Sequence, residues 1–338
     1  MKWFRLWNTI AFSFLSRQHV QHICLHGNHI AYYNGDTKSV HCGRIRQGKV
    51  QEMFRQRFLH VSNLDMCEND QEILMAVAKY YPRENNHGVE LVQIDSTTGA
   101  HQPYAFPSSV RHSTFIRSCS FVQWEQGLSL VCWSIDGIRS VHLLGSPTWI
   151  MEPFSFHLHH VTVSENSIGV LDHDSVFHLF HPDGTYRNKT IERESQSPSI
   201  VTACHFSLPS RKLAICFSDG TLRVYGAHRD PYTRCFHQTI RHVYADTQRF
   251  LLFFENGHVV MGKMNASLSI VKRWFHLCDA GCMQRFAVQP PFLVMDADKE
   301  GLFLRRFAPA APLASDQDDF WKNFFGSGET SEPIDGKK

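Results

Sequence analysis

Residues 216–226, CFSDGTLRVYG, run from apolar positions into Ser-Asp-Gly and leave through an alternating stretch. Apolar and polar positions that alternate with period two mark a half-buried β-strand, because successive side chains point to opposite faces. Asp-Gly and Asn-Gly supply the positive φ angles that tight hairpins need. Two such runs around such a turn predict a hairpin. The pattern recurs in IAYYNGDTKSVHCGRI around Asn34-Gly35, in AVAKYYPRENNHGVELVQID up to Gly88, and in LVCWSIDGIRSVHLL at Asp136-Gly137. It returns in IGVLDHDSVFHLF at His173-Asp174, in LLFFENGHVVMGKM at Asn256-Gly257, and in FLVMDADKEGLFLRRF near Gly301.

These turns are spaced by roughly 37 to 53 residues, around the period of propeller blades and far from that of helical repeats. Each period holds two further strand-like runs. In the fifth unit the four runs are IVTACHF, KLAICF, TLRVYG and TRCFHQTI. Turn signals between third and fourth strands fall at DSTTG (95–99), HPDG (181–184) and MNAS (264–267). Four strands per period and almost no helical periodicity predict an all-β, seven-bladed β-propeller. Stacked β-sandwiches are the alternative, disfavoured by the long period. The stretch 201–226, VTACHFSLPSRKLAICFSDGTLRVYG, resembles a degenerate WD-repeat, with weaker echoes over about residues 20–306. No unit carries the Trp-Asp dipeptide or a Gly-His before its first strand, so the buried His–Asp network of that family is not carried over. The resemblance implies a platform for assembling other proteins.

The seventh unit offers three strands, QRFAVQ, FLVMDA and LFLRRF, and residues 3–15, WFRLWNTIAFSFL, supply the fourth. Closing the last blade in this way removes an exposed sheet edge. The alternative for residues 1–16 is a weak signal peptide, but Asn8 and Thr9 break its apolar core. The propeller is thus expected to span 1–307, followed by a linker and an aromatic, acidic tail at 308–338. In the tail, Ser315 is positioned to cap a short helix that places Phe320, Trp321, Phe324 and Phe325 on one face. That face docks on the propeller or inserts into a partner's groove.

Composition changes this picture little. Hydrophobic residues make up 43% and charged residues 20%, ordinary for a folded chain, and the 26 Phe favour strands. A formal net charge of +2 gives no global field toward nucleic acid or an anionic membrane, and no apolar run is long enough to span a bilayer. Most of the ten cysteines sit in apolar strand runs, which suits a reducing, intracellular compartment, cytoplasmic or nuclear.

Candidate chemistry is sparse. FHLHHV (156–161) places His157 and His159 on one face and His160 on the other, short of a zinc ligand set. Cys278 and Cys282 lack a second ligand pair, and no phosphate loop, nucleophile elbow or carboxylate pair appears. Neither a metal nor a cofactor is expected. The basic run 44–57 reads as a solvated outer strand rather than a nucleic-acid contact. The expected function is a non-catalytic protein–protein interaction scaffold or adaptor subunit. Its partners are one or more proteins, and its binding loops join second to third strands and successive blades. The residues placed on that face are Arg83, Glu84, Asn85, Asp136, His173, Asp174, Asp219, Glu255, Asn256 and Lys299, each with an ordinary turn role as the alternative. The tail aromatics form a second binding element. The competing readings are a propeller enzyme with a central-channel site and an RNA-associated complex subunit.

Overall fold

Apolar residues in unbroken runs, such as HIAYY, SIGVL and LAICF, dictate strands that are buried on both faces rather than one. The computed structural model of the protein describes residues 13–16, 20–47, 49–69, 71–82, 86–104, 116, 118–124, 127–134, 138–142, 149–150, 158–164, 167–180, 186–191, 200–207, 211–226, 230–274, 286–289, 292–296 and 302–306. Among these residues there is no helix.

Strand β1 (Ser13–Ser16) comes first in the chain but belongs to the last sheet. One sheet holds β2 (Val20–His26), β3 (His29–Asn34), β4 (Ser39–Arg46) and β5 (Lys49–Arg57). The next holds β6 (Val61–Asn69), β7 (Glu72–Tyr81), β8 (Asn86–Asp95) and β9 (His101–Pro103). It is followed by β10 (Ser118–Trp124), β11 (Gly127–Trp133), β12 (Ile138–His142) and β13 (Trp149–Ile150). A further sheet contains β14 (Leu158–Ser164), β15 (Ser167–Asp172), β16 (Val176–Phe180) and β17 (Tyr186–Thr190). After it come β18 (Val201–Ser207), β19 (Lys212–Phe217), β20 (Thr221–Tyr225) and β21 (Tyr232–Cys235). Then follow β22 (Ile240–Ala245), β23 (Arg249–Phe254), β24 (Val259–Lys263) and β25 (Ile270–Trp274). The last sheet takes β26 (Phe286–Gln289), β27 (Phe292–Asp296), β28 (Leu302–Arg306) and, at its edge, β1. Among the described residues there are seven four-stranded sheets of neighbouring antiparallel strands, six in chain order and the last completed by β1, a β-propeller arrangement.

The pairing of β1 with β28 is antiparallel, Ser13 opposite Leu304. Ser13–Ser16 are the described part of this strand; of the stretch 3–15 expected to supply it, residues 3–12 lie outside the described residues. The tail from 308 onward, with its expected aromatic helix, lies outside the described residues, as does the HPDG turn.

A register shift repeats in five sheets at the same place, two residues into the first strand. It falls between Val20 and His22, Val61 and Asn63, Leu158 and His160, Val201 and Ala203, and Ile240 and His242. Each is a β-bulge, which puts one extra residue opposite its partner strand and bends the chain there. The bulge corrects the expected alternation in FHLHHV: His159 and His160 rings lie 4.4 Å apart, where strict period two would send them to opposite faces.

The chain divides into two compact units, Met1–Phe121 with Leu130–Ser134 and Gly281–Pro309, and Val122–Ser129 with Ile135–Ala280 and Ala310–Lys338. In the first, Tyr33, Phe54, Met66, Met75 and Ile94 pack into one apolar core. In the second, Leu171, Phe177, Phe206 and Leu213 form one core and Cys216, Leu222, Phe250, Leu252 and Phe254 another. Where burial is described, it decreases from the second strand to the fourth: β3 and β15 are buried throughout, whereas β9 and most of β5 are exposed.

Gly262 shows how closely the second unit is packed. It lies directly opposite Phe250 in the ladder, and a methyl group there would collide with the Phe250 ring, which is fully buried. Gly262→Ala is expected to destabilise the protein by about 1–3 kcal/mol through overpacking. Phe250→Ala, which leaves a cavity instead, is expected to cost about 3–5 kcal/mol. Urea denaturation of both variants beside the parent measures each effect.

Candidate interaction face and cleft

Five of the sequence-predicted positions, His173, Asp174, Asp219, Glu255 and Asn256, lie on turns of the second unit. In the β15–β16 turn, Asp172 Oδ1 accepts the Val176 N–H at 2.8 Å, and Ser175 takes the left-handed conformation, φ +64°. His173 and Asp174 are left exposed at its tip. In the β19–β20 turn, exposed Asp219 accepts the Thr221 N–H at 2.8 Å. Gly220 sits at φ +84°, where a side chain would also meet the backbone of Gln238. In the β23–β24 turn, Asn256 Oδ1 accepts the His258 N–H and its amide donates to Gln238 Oε1, both at 3.2 Å. Asp219 and Asn256 therefore shape their own turns. The Asn34-Gly35 turn departs from expectation: the positive φ falls on Lys38, +55°, while Asn34 Oδ1 accepts the N–H groups of Asp36 and Thr37. Arg83, Glu84, Asn85, Asp136, Lys299 and the tail residues Phe320, Trp321, Phe324 and Phe325 lie outside the described residues.

These turns are tied to the connections that lead into the first strands. Ser218 N–H donates to Ile200 O at 2.8 Å, and Ile200 N–H to Ser218 Oγ at 3.1 Å. Glu255 N–H donates to Thr239 O at 3.0 Å, and Thr239 Oγ1 to Ser218 O at 3.3 Å. The bulged residue of the first strand adds a side-chain tie to the same turn. Arg241 pairs with Glu255, and the His159 ring packs 4.8 Å from His173. Ile200 remains 63% exposed on this braced connection. It looks like the first residue of a strand in sequence, and only its place before the bulge distinguishes it. In the first unit Leu59, 50% exposed, precedes β6 in a comparable way.

Successive first strands also run in register. His205 Nδ1 on β18 accepts the Ala245 N–H of β22 at 3.3 Å. In the first unit Asp65 on β6 accepts from the Phe121 N–H and Ser120 Oγ, each at 2.7 Å. Each acceptor lies four residues after the first residue of its strand. The registration of β18 with β22 aligns the turns that carry Asp219 and Asn256 along one side of the second unit.

A second polar position repeats inside the sheets, the third residue of the third strand: His41, His178 and Arg223, all buried. His178 Nε2 bonds Asp172 Oδ2 at 2.9 Å, so the protein does bury a His–Asp pair, although on other residues than the family pattern provides. Burial pulls the His178 pKa down while Asp172 opposes that shift. His41 bridges Ser39 at 2.8 Å and Glu52 at 2.6 Å, and Arg223 lies 5.2 Å over the Phe217 ring. In the first unit, Arg44 Nε donates to His29 Nε2 at 3.1 Å, which fixes the His29 proton on Nδ1 facing Glu68, 3.2 Å away. Among the described residues no group of His, Cys, Asp or Glu is arranged to hold a metal ion.

The outer strands of the second unit border a cleft of about 310 Å³. Phe236 and Phe254 form its apolar wall, with ring centroids 5.7 Å apart. Arg234, Arg273, His237 and His258 also line it, and among the described residues no carboxylate does. Cys235, at its edge, is the exposed cysteine among the described ones, its Sγ 3.5 Å from His237 Nδ1. The buried thiols are harder to ionise: burial pushes Cys42 and Cys204 up to about 12. No motif in the sequence foretells the cleft, because Arg234 and Arg273 come from different sheets.

The chain matches no family model and no curated protein sequence. Its fold is similar to that of solved structures. One is Sqt1 of Saccharomyces cerevisiae, with a TM-score of 0.58 at 12% identity, covering 89% of this chain and 98% of that one. Another is the computationally designed Ika8 protein, with a TM-score of 0.55 at 11% identity, covering 88% of this chain and 100% of that one. These likenesses support the propeller fold.

Burial holds His205 and His242 at about 4, below the ordinary 6.5. The unfolded chain therefore takes up these protons first, and stability falls as pH drops from about 6.5 to 4. Asp65, raised by burial to about 6, works in the opposite direction below that value. Two histidines outweigh one carboxylate, so the urea midpoint is expected to fall between pH 7 and pH 5, and less steeply in His205→Gln. Iodoacetamide footprinting is expected to label Cys235 well before Cys24, Cys42, Cys67, Cys119, Cys132, Cys204 or Cys216.

Proposed function

We propose that this protein is a non-catalytic interaction scaffold or adaptor subunit. It grips partner proteins with the turns that carry His173, Asp174, Asp219 and Asn256. The observation that carries this reading is exposed Ile200, held on a connection hydrogen-bonded in both directions to the neighbouring turn. An apolar side chain on a braced loop loses little conformational freedom when a partner covers it. The turns and connections tied to it carry exposed Asp219, Arg241 and Glu255, the mixed polar rim expected of a protein interface. In this reading the seven sheets are the blades of a seven-bladed propeller domain at 1–307, and β1 completes the last blade. Arg83, Asn85, Asp136 and Lys299 extend the same face. The tail aromatics Phe320, Trp321, Phe324 and Phe325 form a second docking element on 308–338. The function is exercised inside the cell.

Quantitative affinity purification of the intact chain, of Ile200→Asp and of a chain ending at Ala311 tests this reading. Ile200 is exposed, so its replacement is expected to change stability by no more than about 0.5 kcal/mol. At least one stoichiometric protein is expected to be depleted about fivefold by Ile200→Asp, a loss of about 1 kcal/mol in binding. Retention of every partner by Ile200→Asp, with an unchanged melting temperature, would exclude the braced turns as the docking surface. Partners lost only on truncation would transfer the role to the tail.

A further inference from the structure

The cleft beside Arg234 and Arg273 adjoins the exposed turns, with Cys235 Sγ 3.7 Å from Asp219 O and Gln238 accepting from Asn256, but its chemistry is more selective. Among the described residues its lining brings two guanidiniums and two imidazoles together and includes no carboxylate. In a chain whose net charge is only +2, that is a local excess of positive charge. Arg234 is already positioned: its Nη1 donates to Leu268 O at 3.0 Å and to Ser267 O at 3.3 Å, and its guanidinium lies 5.4 Å over the Phe236 ring. Carbonyl oxygens orient a guanidinium without neutralising it, and its other N–H groups are available for an anion. Arg273 is exposed and contributes a second charge from β25. Gln238 is fixed by Asn256.

We propose that this cleft binds a short acidic segment of a partner protein, with Asp or Glu carboxylates on Arg234 and Arg273 and an apolar side chain against Phe236 and Phe254. A carboxylate matches the planar fork of an arginine, and such charge-assisted bonds are the stronger kind. The volume of about 310 Å³ is at the small end for ligand sites, enough for a few side chains. The aromatic wall favours a peptide over an inorganic anion, and the low net charge gives no field for a phosphate backbone. The proposal rests on the scaffold reading and concerns the surface next to those turns.

The test uses the full chain and a fluorescein-labelled peptide, Gly-Glu-Asp-Phe-Glu-Asp-Gly, followed by anisotropy. A second peptide carries Gln and Asn in place of the carboxylates. The acidic peptide is expected to bind, the amide peptide about tenfold more weakly, and added salt to loosen the acidic one. Arg273→Gln, a change at an exposed position, is expected to weaken binding about tenfold while the melting temperature holds. Bound peptide is also expected to slow alkylation of Cys235. Equal binding of the two peptides, or full affinity in Arg273→Gln, would overturn the proposal. So would unprotected Cys235, or displacement of the peptide by a single-stranded oligonucleotide. Much tighter peptide binding by a chain ending at Ala311 would mean that residues 315–325 of this chain fill the cleft, which also overturns it. If the peptide fails while Ile200→Asp still loses its partners, the scaffold reading survives without the cleft. If the peptide binds and Ile200→Asp loses nothing, the cleft stands and the turns do not.

Discussion

A four-stranded sheet whose second strand is apolar on both faces cannot exist alone in water, and the rest of this structure depends on that constraint. β3 and β15 are buried at every residue, and β19 and β23 at all but their first. Leaving either face uncovered would expose several large side chains, each worth roughly 1.5–3 kcal/mol when buried. Each sheet therefore needs neighbours. Repetition is a consequence of this need, because a neighbour built to the same pattern buries the same face.

The same constraint explains why loops, rather than strands, are left to carry function. The first strands are held in register by side chains that reach across to the next strand's N–H: Asp65 to Phe121 and His205 to Ala245. A bulge near the start of the strand then releases one residue from the ladder. In the second unit that residue reaches over the turn between second and third strands, as Arg241 does to Glu255 and His159 to His173. Short turns braced from beneath are poor at changing shape and good at presenting a fixed surface.

The strands were legible because they obey local rules: period-two alternation, apolar runs and turn residues locate most of them. The turn details were less legible. Asn34-Gly35 looks like a two-residue hairpin, but Asn34 spends its side chain on two turn N–H groups and the left-handed residue is Lys38. The bulges were invisible, since an extra residue in a strand leaves no compositional mark, and so the pairing of His159 with His173 was invisible too. The buried pair Asp172–His178 was missed because the family pattern directs attention to a dipeptide this chain lacks. The position it uses, third in the third strand, emerges only when His41, His178 and Arg223 are aligned by register. The cleft joins residues of two sheets, a relation that spacing in one sequence does not encode.

Burial decreases from the second strand to the fourth, and this gradient decides where a cleft can open. In the second unit the middle strands are packed to the point that Gly262 leaves no room for a methyl group beside Phe250. The outer strand β21, by contrast, alternates half-buried and exposed residues, with Arg234 and Cys235 among them. Long cationic side chains belong at such an edge, because their stems lie along apolar surface while their heads stay wet. Arg234 does this over Phe236 and is then oriented by the carbonyls of Ser267 and Leu268. A guanidinium oriented by neutral acceptors keeps its full charge, whereas Arg241, paired with Glu255, has spent its own. The contrast between these two arginines separates a recognition element from a structural brace.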